Sequence, residues 1–215
     1  MAIGMSPFLM NVAGCFVVIL INLGLKKYGG DLMIGAYGIA NRVGFFFVMV
    51  VIGINQGMQP IAGYNYGAGH YQRLMDVLKL TVICATIVTT TAFLAGMFIP
   101  RIVASAFTTD QEMIDLAARG ISIMLFCFPI VGTQMVTCNF FQSIGKANIA
   151  IFLSLTRQLI FLIPFLIIFP HLFEDGAMGI WYSMPVSDFL ASVVAYWVLG
   201  QYYRKLKKKV LEESN

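Results

Sequence analysis

Charge is what this chain has least of. Asp, Glu, Lys and Arg make up 11% of its 215 residues, against roughly 25% in an ordinary soluble domain. That scarcity excludes a normal water-solvated surface and with it the soluble globular classes. Histidine occurs twice, at His70 and His171, far apart in sequence. The four cysteines, Cys15, Cys84, Cys127 and Cys138, sit singly inside apolar runs without Cys-x-x-Cys spacing. Such thiols behave as small apolar residues, so neither a disulfide nor a metal site is expected. A nucleophile paired with a base, a P-loop and a dinucleotide fingerprint are also missing. The chain therefore offers no catalytic residues and no cofactor motif.

What is present is hydrophobic surface: 59% of residues are apolar and the mean hydropathy is +0.83. Six long apolar stretches cover residues 7–25, 32–57, 77–99, 114–139, 148–170 and 178–202. A bilayer-spanning helix needs about 20 mostly apolar residues, and backbone amides in lipid must pair within their own segment. The expected fold is an all-α polytopic membrane protein with six transmembrane helices over residues 1–203. A basic then acidic cytoplasmic tail follows over 204–215. Ser6-Pro7 suits a first helical turn, and the first span lacks the basic flank and small-residue cleavage site of a signal peptide. Gly29-Gly30-Asp31, Pro100, Pro170 and Glu174-Asp175-Gly176 punctuate the turns.

Lys and Arg are unevenly divided between the two sides. One side holds Arg73, Lys79, Lys146, Arg204, Lys205, Lys207, Lys208 and Lys209, and the other Lys26, Lys27 and Arg101. The positive-inside rule places the richer side, and both termini, in the cytoplasm. The basic run 204–209 reads as an anionic-lipid contact rather than a nucleic-acid site.

Polar groups inside the spans carry the functional reading. Asn11, Cys15, Val18 and Asn22 share one face of the first helix by their spacing. They suggest a wet cavity or hydrogen bonds between helices. The second span carries Asn41, Arg42, Asn55, Gln56 and Gln59, then Pro60, and the fourth carries Thr133, Gln134 and Thr137. Arg42, Arg157 and Asp188 each lie about ten residues from a span end. At about 1.5 Å per residue that is near the middle of a hydrocarbon core of about 30 Å. A lone charge there is costly, so Asp188 is expected to pair with Arg157, or with Arg42. The pair would act as a fixed pin between helices or in ion coupling. Arg119 is shallower and can snorkel to the outer interface. The glycine-rich run 63–69 lacks the Lys-Ser/Thr ending of a phosphate cradle and reads as a cytoplasmic hinge. Gln59, Pro60, Tyr64 and Asn65 are its gate candidates.

The order of these motifs resembles one family. Ala40-Asn41-Arg42-Val43, followed by the run from Gly53-Ile54-Asn55-Gln56-Gly57 to Tyr64-Asn65-Tyr66-Gly67-Ala68-Gly69, is similar to the eighth helix and following cytoplasmic loop of the MATE (multidrug and toxic compound extrusion) transporters. Gly4-Met5-Ser6-Pro7 resembles the start of the family's seventh helix, Phe141-Gln142-Ser143-Ile144-Gly145-Lys146-Ala147 the turn after its tenth, Thr156-Arg157-Gln158 with Pro164 its eleventh, and Pro185-Val186-Ser187-Asp188 its twelfth. The likeness is greatest to its MepA-like and DinF-like branch.

The resemblance implies one six-helix lobe, the C-terminal one, of a twelve-helix secondary-active antiporter. The drug cavity lies between lobes that rock against each other. Met10, Asn11, Cys15, Asn22, Asn41, Gln56 and Gln134 would line this lobe's half of it. Many bacterial members carry the coupling aspartate on their first helix, so the coupling ion, H+ or Na+, is expected in the N-terminal lobe. Some branches hold a cation between acids on helices seven and ten. Here Cys15 stands near the first of those levels, and the fourth span has no acid after Asp115. The implied partners are the bilayer, amphipathic and often cationic compounds, and an N-terminal lobe or a second copy of this chain, in a bacterial inner membrane. Two other readings stay open: a flippase for lipid-linked oligosaccharides, and an inactive half-transporter.

Overall fold

The structure is a computed structural model that describes residues 2–173 and 175–213, with side chains over 11–173 and 175–211. The side chain of Met10, residue Glu174 and the last residues of the tail therefore fall outside the described set. The described residues are helical apart from short turns. In chain order they form α1 (Ala2–Gly67), α2 (Tyr71–Phe98), α3 (Pro100–Ser105), α4 (Gln111–Leu125), α5 (Phe128–Ser143), α6 (Ala147–Leu155), a π-helical segment (Thr156–Leu162), α7 (Ile163–Leu172) and α8 (Gly176–Glu213). Four stretches are long and apolar enough to cross a membrane: Asn11–Gly67, Tyr71–Phe98, Ala147–Leu172 and Gly176–Leu211. The pair α4 and α5, bent by 54°, makes a fifth if taken as one span.

Each break has a local cause. Gly30 interrupts α1 with φ 69° and ψ −167°, a conformation open to glycine because it has no Cβ. At about 1.5 Å per residue, an unbroken α1 would be roughly 100 Å long, far more than a bilayer is thick. Between α4 and α5 stands Pro129, in the first turn of α5. Its ring has no N–H to donate and clashes with the carbonyl four residues back. Pro164 does the same beside the π-helical segment, where the Ile163 N–H reaches Gln158 O, five residues back.

Two apolar clusters sit one above the other. The first gathers Ile21, Leu25, Tyr37, Ile121, Leu125, Phe128 and Trp181. Trp181 meets Tyr37 edge-on at 5.8 Å, and a methyl group on Gly120 would overlap the Trp181 ring, so that glycine sets how closely α4 approaches α8. The second gathers Val51, Met58, Leu74, Val136, Phe140, Phe141 and Leu206, with Tyr202 edge-on to both phenylalanines at 6.1 and 5.2 Å. Between the clusters, the helices carry their buried polar groups: Thr89, Thr133, Gln134, Thr156, Ser187, Asp188 and Ser192.

Two boundaries differ from the sequence expectation. α1 runs to Gly67, so the expected hinge is mostly helix, and the positive φ that allows the turn belongs to Gly69 (φ 77°). Residues 204–213 are the end of α8 rather than a separate tail. Leu206 is buried there, and Lys209 reaches the Tyr71 hydroxyl at 3.3 Å.

Candidate functional site

The site forms in the polar layer between the two clusters. α8 presents Asp188 there, and the π-helical segment presents Arg157. Arg157 Nε donates to Asp188 Oδ1 at 2.7 Å. The Asp188 side chain is 11% exposed and that of Arg157 36%, so the carboxylate is enclosed while the guanidinium reaches open space. Each charge removes much of the cost the other would meet alone in this setting.

The open space is a cavity of about 260 Å³. Gly14, Val17, Val18 and Ile21 of α1 line it before the Gly30 break, and Tyr37, Asn41, Gly44, Phe45 and Val48 after it. Met124, Phe128, Val131 and Met135 come from α4 and α5, and Met184, Ser187 and Asp188 from α8. The wall is mostly apolar and methionine-rich; its polar side chains are Asn41, Gln158, the ion pair and the hydroxyls of Tyr37 and Ser187, the last donating to Met184 O at 2.8 Å. Such a wall adapts to varied apolar shapes. Drug-sized ligands are usually enclosed in about 300–1,000 Å³, so this hollow fits part of one.

A second cavity of about 120 Å³ adjoins it and is lined by Gln134, Met135, Cys138, Asn139, Ser154, Arg157 and Gln158. Arg157, Gln158 and Met135 belong to both. Ser192, one turn along α8 from Asp188, donates to Gln134 Oε1 at 3.4 Å. Gln59 Nε2 donates to Asn139 Oδ1 at 3.3 Å, which ties α1 to α5. Thr156 Oγ1, Gln158 Oε1 and both amide atoms of Asn55 are buried without a hydrogen-bond partner.

The expected site residues thus separate. Asn41, Asp188 and Arg157 meet at the larger cavity, and Gln134 faces the smaller one. Of the expected α1 stripe, Val18 lines the larger cavity, while Asn11 and Cys15 are exposed and Asn22 half-buried, outside its lining. Gln56 is exposed. Arg42 is exposed too, and the ion pair of Asp188 is with Arg157. Pro60 and Tyr64 are exposed on helical α1, and Asn65 is buried with its Nδ2 donating to Ile61 O at 2.8 Å. Sequence reasoning missed Tyr37, Gln158 and Ser187 as cavity residues. Gln158 and Ser187 stand next to the two charges in sequence, which is the one signal that pointed to them. Among the described residues, no group of three or more His, Cys, Asp or Glu gathers as a metal site.

Comparison with known proteins bears on the family and the fold. The MatE family model matches residues 5–168. The multidrug export protein MepA of Staphylococcus aureus (strain MSSA476) is 26% identical over 197 residues, 92% of this chain and 43% of MepA. The solved structure of the MATE multidrug transporter DinF-BH is similar with a TM-score of 0.81 at 35% identity, over 93% of this chain and 44% of that one. A MATE in the bent conformation shares the fold, with a TM-score of 0.88 at 18% identity, over 95% and 45%. The chain spans less than half the length of these relatives.

Proposed function

The chain belongs to the MatE family, a family of transporters rather than enzymes, and we propose that it forms the C-terminal lobe of a twelve-helix secondary-active antiporter. The intact carrier would export amphipathic, often cationic compounds in exchange for protons or sodium. The match over residues 5–168 carries this reading. The names of the relatives, a multidrug export protein and a multidrug transporter, support it. Counting Asn11–Gly67 as two spans across Gly30, and α4 with α5 as one, gives six spans. An even number puts both termini on one side, and the positive-inside rule makes that side the cytoplasm.

In this reading the cavity beside Asp188 is this lobe's half of the drug site. Asn41 supplies a polar contact, and Met124, Met135 and Phe128 supply adaptable apolar ones. The flanking Asn11, Cys15 and Asn22 face the opposing lobe. Arg157 and Asp188 pin α8 to the broken helix behind the cavity, while the coupling ion binds in the N-terminal lobe. Gln59, held by Asn139, and its neighbours Gln56, Pro60, Tyr64 and Asn65 form the cytoplasmic end that opens and closes.

Drug resistance in a pump-deficient bacterium tests this directly. Export is expected when the chain is co-expressed with an N-terminal lobe of the family, and not from the chain alone. Export by the chain alone would replace the proposal with a carrier made of two copies. Failure of both arms, with membrane insertion verified, would overturn it.

A further inference from the structure

α8 has two distinct faces. Met184, Ser187 and Asp188 look into the cavity described above. At about 100° per residue, Tyr182, Pro185, Val186 and Phe189 lie on roughly the opposite face. They wall an open groove of about 580 Å³, closed on its other side by Met97, Ile123 and Phe126. The groove lies at the 54° bend between α4 and α5. No polar atom faces it. Ser122, its one hydroxyl residue besides Tyr182, is committed to Gly96 O at 2.7 Å and Ala118 O at 3.1 Å.

The groove is continuous with a third hollow of about 650 Å³, which shares Ser122, Ile123 and Tyr182 with it and adds Arg101, Asp115, Arg119 and Met178. Arg101 pairs with Asp115 at 2.6 Å, with both side chains largely in the open. Arg119 is exposed and has no ion pair among the described residues. Two arginines against one aspartate leave this end positive.

The ends are ordered by depth. The charged hollow is lined by early residues of both helices, Asp115 and Arg119 on α4 and Met178 on α8, and the apolar groove by later ones, Phe126 and Phe189. From Met178 to Phe189 is about 16 Å along α8 at 1.5 Å per residue. A positive rim over an apolar slot of that length matches a molecule with an anionic head and a hydrocarbon tail.

We infer that this hollow holds a membrane phospholipid, with its phosphate at Arg119 and Arg101 and an acyl chain between Phe126 and Phe189. Arginine is the side chain best suited to bind phosphate, through paired charge-assisted hydrogen bonds. The lipid would fill the notch that the α4–α5 bend leaves in the outer surface. This site lies behind α8, away from the drug cavity, and stands whether or not the chain exports anything.

The test is photolabelling of the chain in bilayers of phosphatidylethanolamine and phosphatidylglycerol that contain a phosphatidylglycerol with a diazirine on its acyl chain. Labelled residues are then mapped by mass spectrometry. Label is expected to concentrate on residues 123–127 and 185–190. Arg119→Gln should lower it roughly tenfold, the factor that one hydrogen bond to a charged group carries. Val186→Phe should lower it by filling the slot with no change of charge. Label at Ile83 and Ile87, exposed on α2, is the internal reference and should not change. Label spread evenly over that reference and the groove would overturn the assignment. So would concentrated label that neither substitution reduces, or label that Val186→Phe lowers and Arg119→Gln leaves unchanged.

Discussion

α2 and the interrupted helix from α6 through α7 have similar length and apolarity, yet they treat polar side chains in opposite ways. In α2, Thr81, Thr89 and Thr91 each donate back to the carbonyl four residues earlier, at 2.8–2.9 Å. These three hydroxyls are absorbed by the helix's own backbone, and the contacts α2 makes to neighbours through Tyr71 and Gly96 O lie near its two ends. In the interrupted helix, Arg157 reaches across to α8, while Thr156 Oγ1 and Gln158 Oε1 are buried without partners. Pro164 removes one backbone donor, the helix widens into a π turn, and side chains there point where a regular helix would not aim them. Such turns recur at functional sites. The comparison teaches that polarity in a membrane helix becomes available for function where the backbone stops satisfying it.

Breaking the ion pair should have the largest effect. Arg157→Ala or Asp188→Leu leaves one charge alone in the polar layer. Losing one partner of a buried pair costs about 3–5 kcal/mol. The loss here should fall near the lower end, because the guanidinium is partly exposed. Removing both charges together, as Arg157→Met with Asp188→Leu, should recover most of the stability, since apolar replacement of a whole pair is often neutral. Denaturant titration in mild micelles, followed by Trp fluorescence, reads this out. If the double substitution folds and the co-expressed carrier still exports, the pair is a pin. If it folds and export is lost, the pair takes part in transport.

Gly120→Val comes next. It pushes two methyl groups against Trp181 where α4 meets α8, and overpacking of this kind costs about 1–3 kcal/mol. The same titration should show the loss. Gly53→Val, where nothing lies within 4 Å of the added carbon, should cost less. Equal costs would mean that the α4–α8 approach is looser than the Trp181 contact implies.

Much of this was legible in the sequence, and the rest was hidden for physical reasons. Counting residues inward from the span ends placed Arg157 and Asp188 at one depth, because helical rise is nearly constant. Periodicity placed Asn11, Cys15 and Asn22 on one face of α1 but could not say which face looks inward. Neighbouring helices decide that, and the cavity wall is centred on the adjacent Gly14, Val17 and Ile21, sharing Val18 with the expected stripe. The run 63–69 looked like a loop because it is rich in glycine. Glycine lowers helix stability without ending a helix, and α1 continues to Gly67, with the turn completed by the positive φ of Gly69. The π turn depends on how the backbone around Pro164 relaxes against α8, which no local pattern encodes.

The smallest effect separates the two helices most sharply. Thr89→Val in α2 removes a hydroxyl that is already satisfied by Ala85 O, so it should destabilise by about 0.5–1.5 kcal/mol, the usual worth of such a bond. Thr156→Val removes a hydroxyl that is buried and unpartnered and replaces it with a methyl of similar shape. Relief of an unsatisfied group is worth about 1–3 kcal/mol at most, so this variant should be neutral or more stable. The two substitutions are chemically identical and both sites are buried, but one hydroxyl is bonded to its own helix and the other has no partner. Opposite signs in the unfolding midpoint would show that the π turn holds polar capacity in reserve. A matching loss at both sites would mean that Thr156 is satisfied in the membrane by something that enters the cavity beside Arg157, and the comparison would then rest on the ion pair alone.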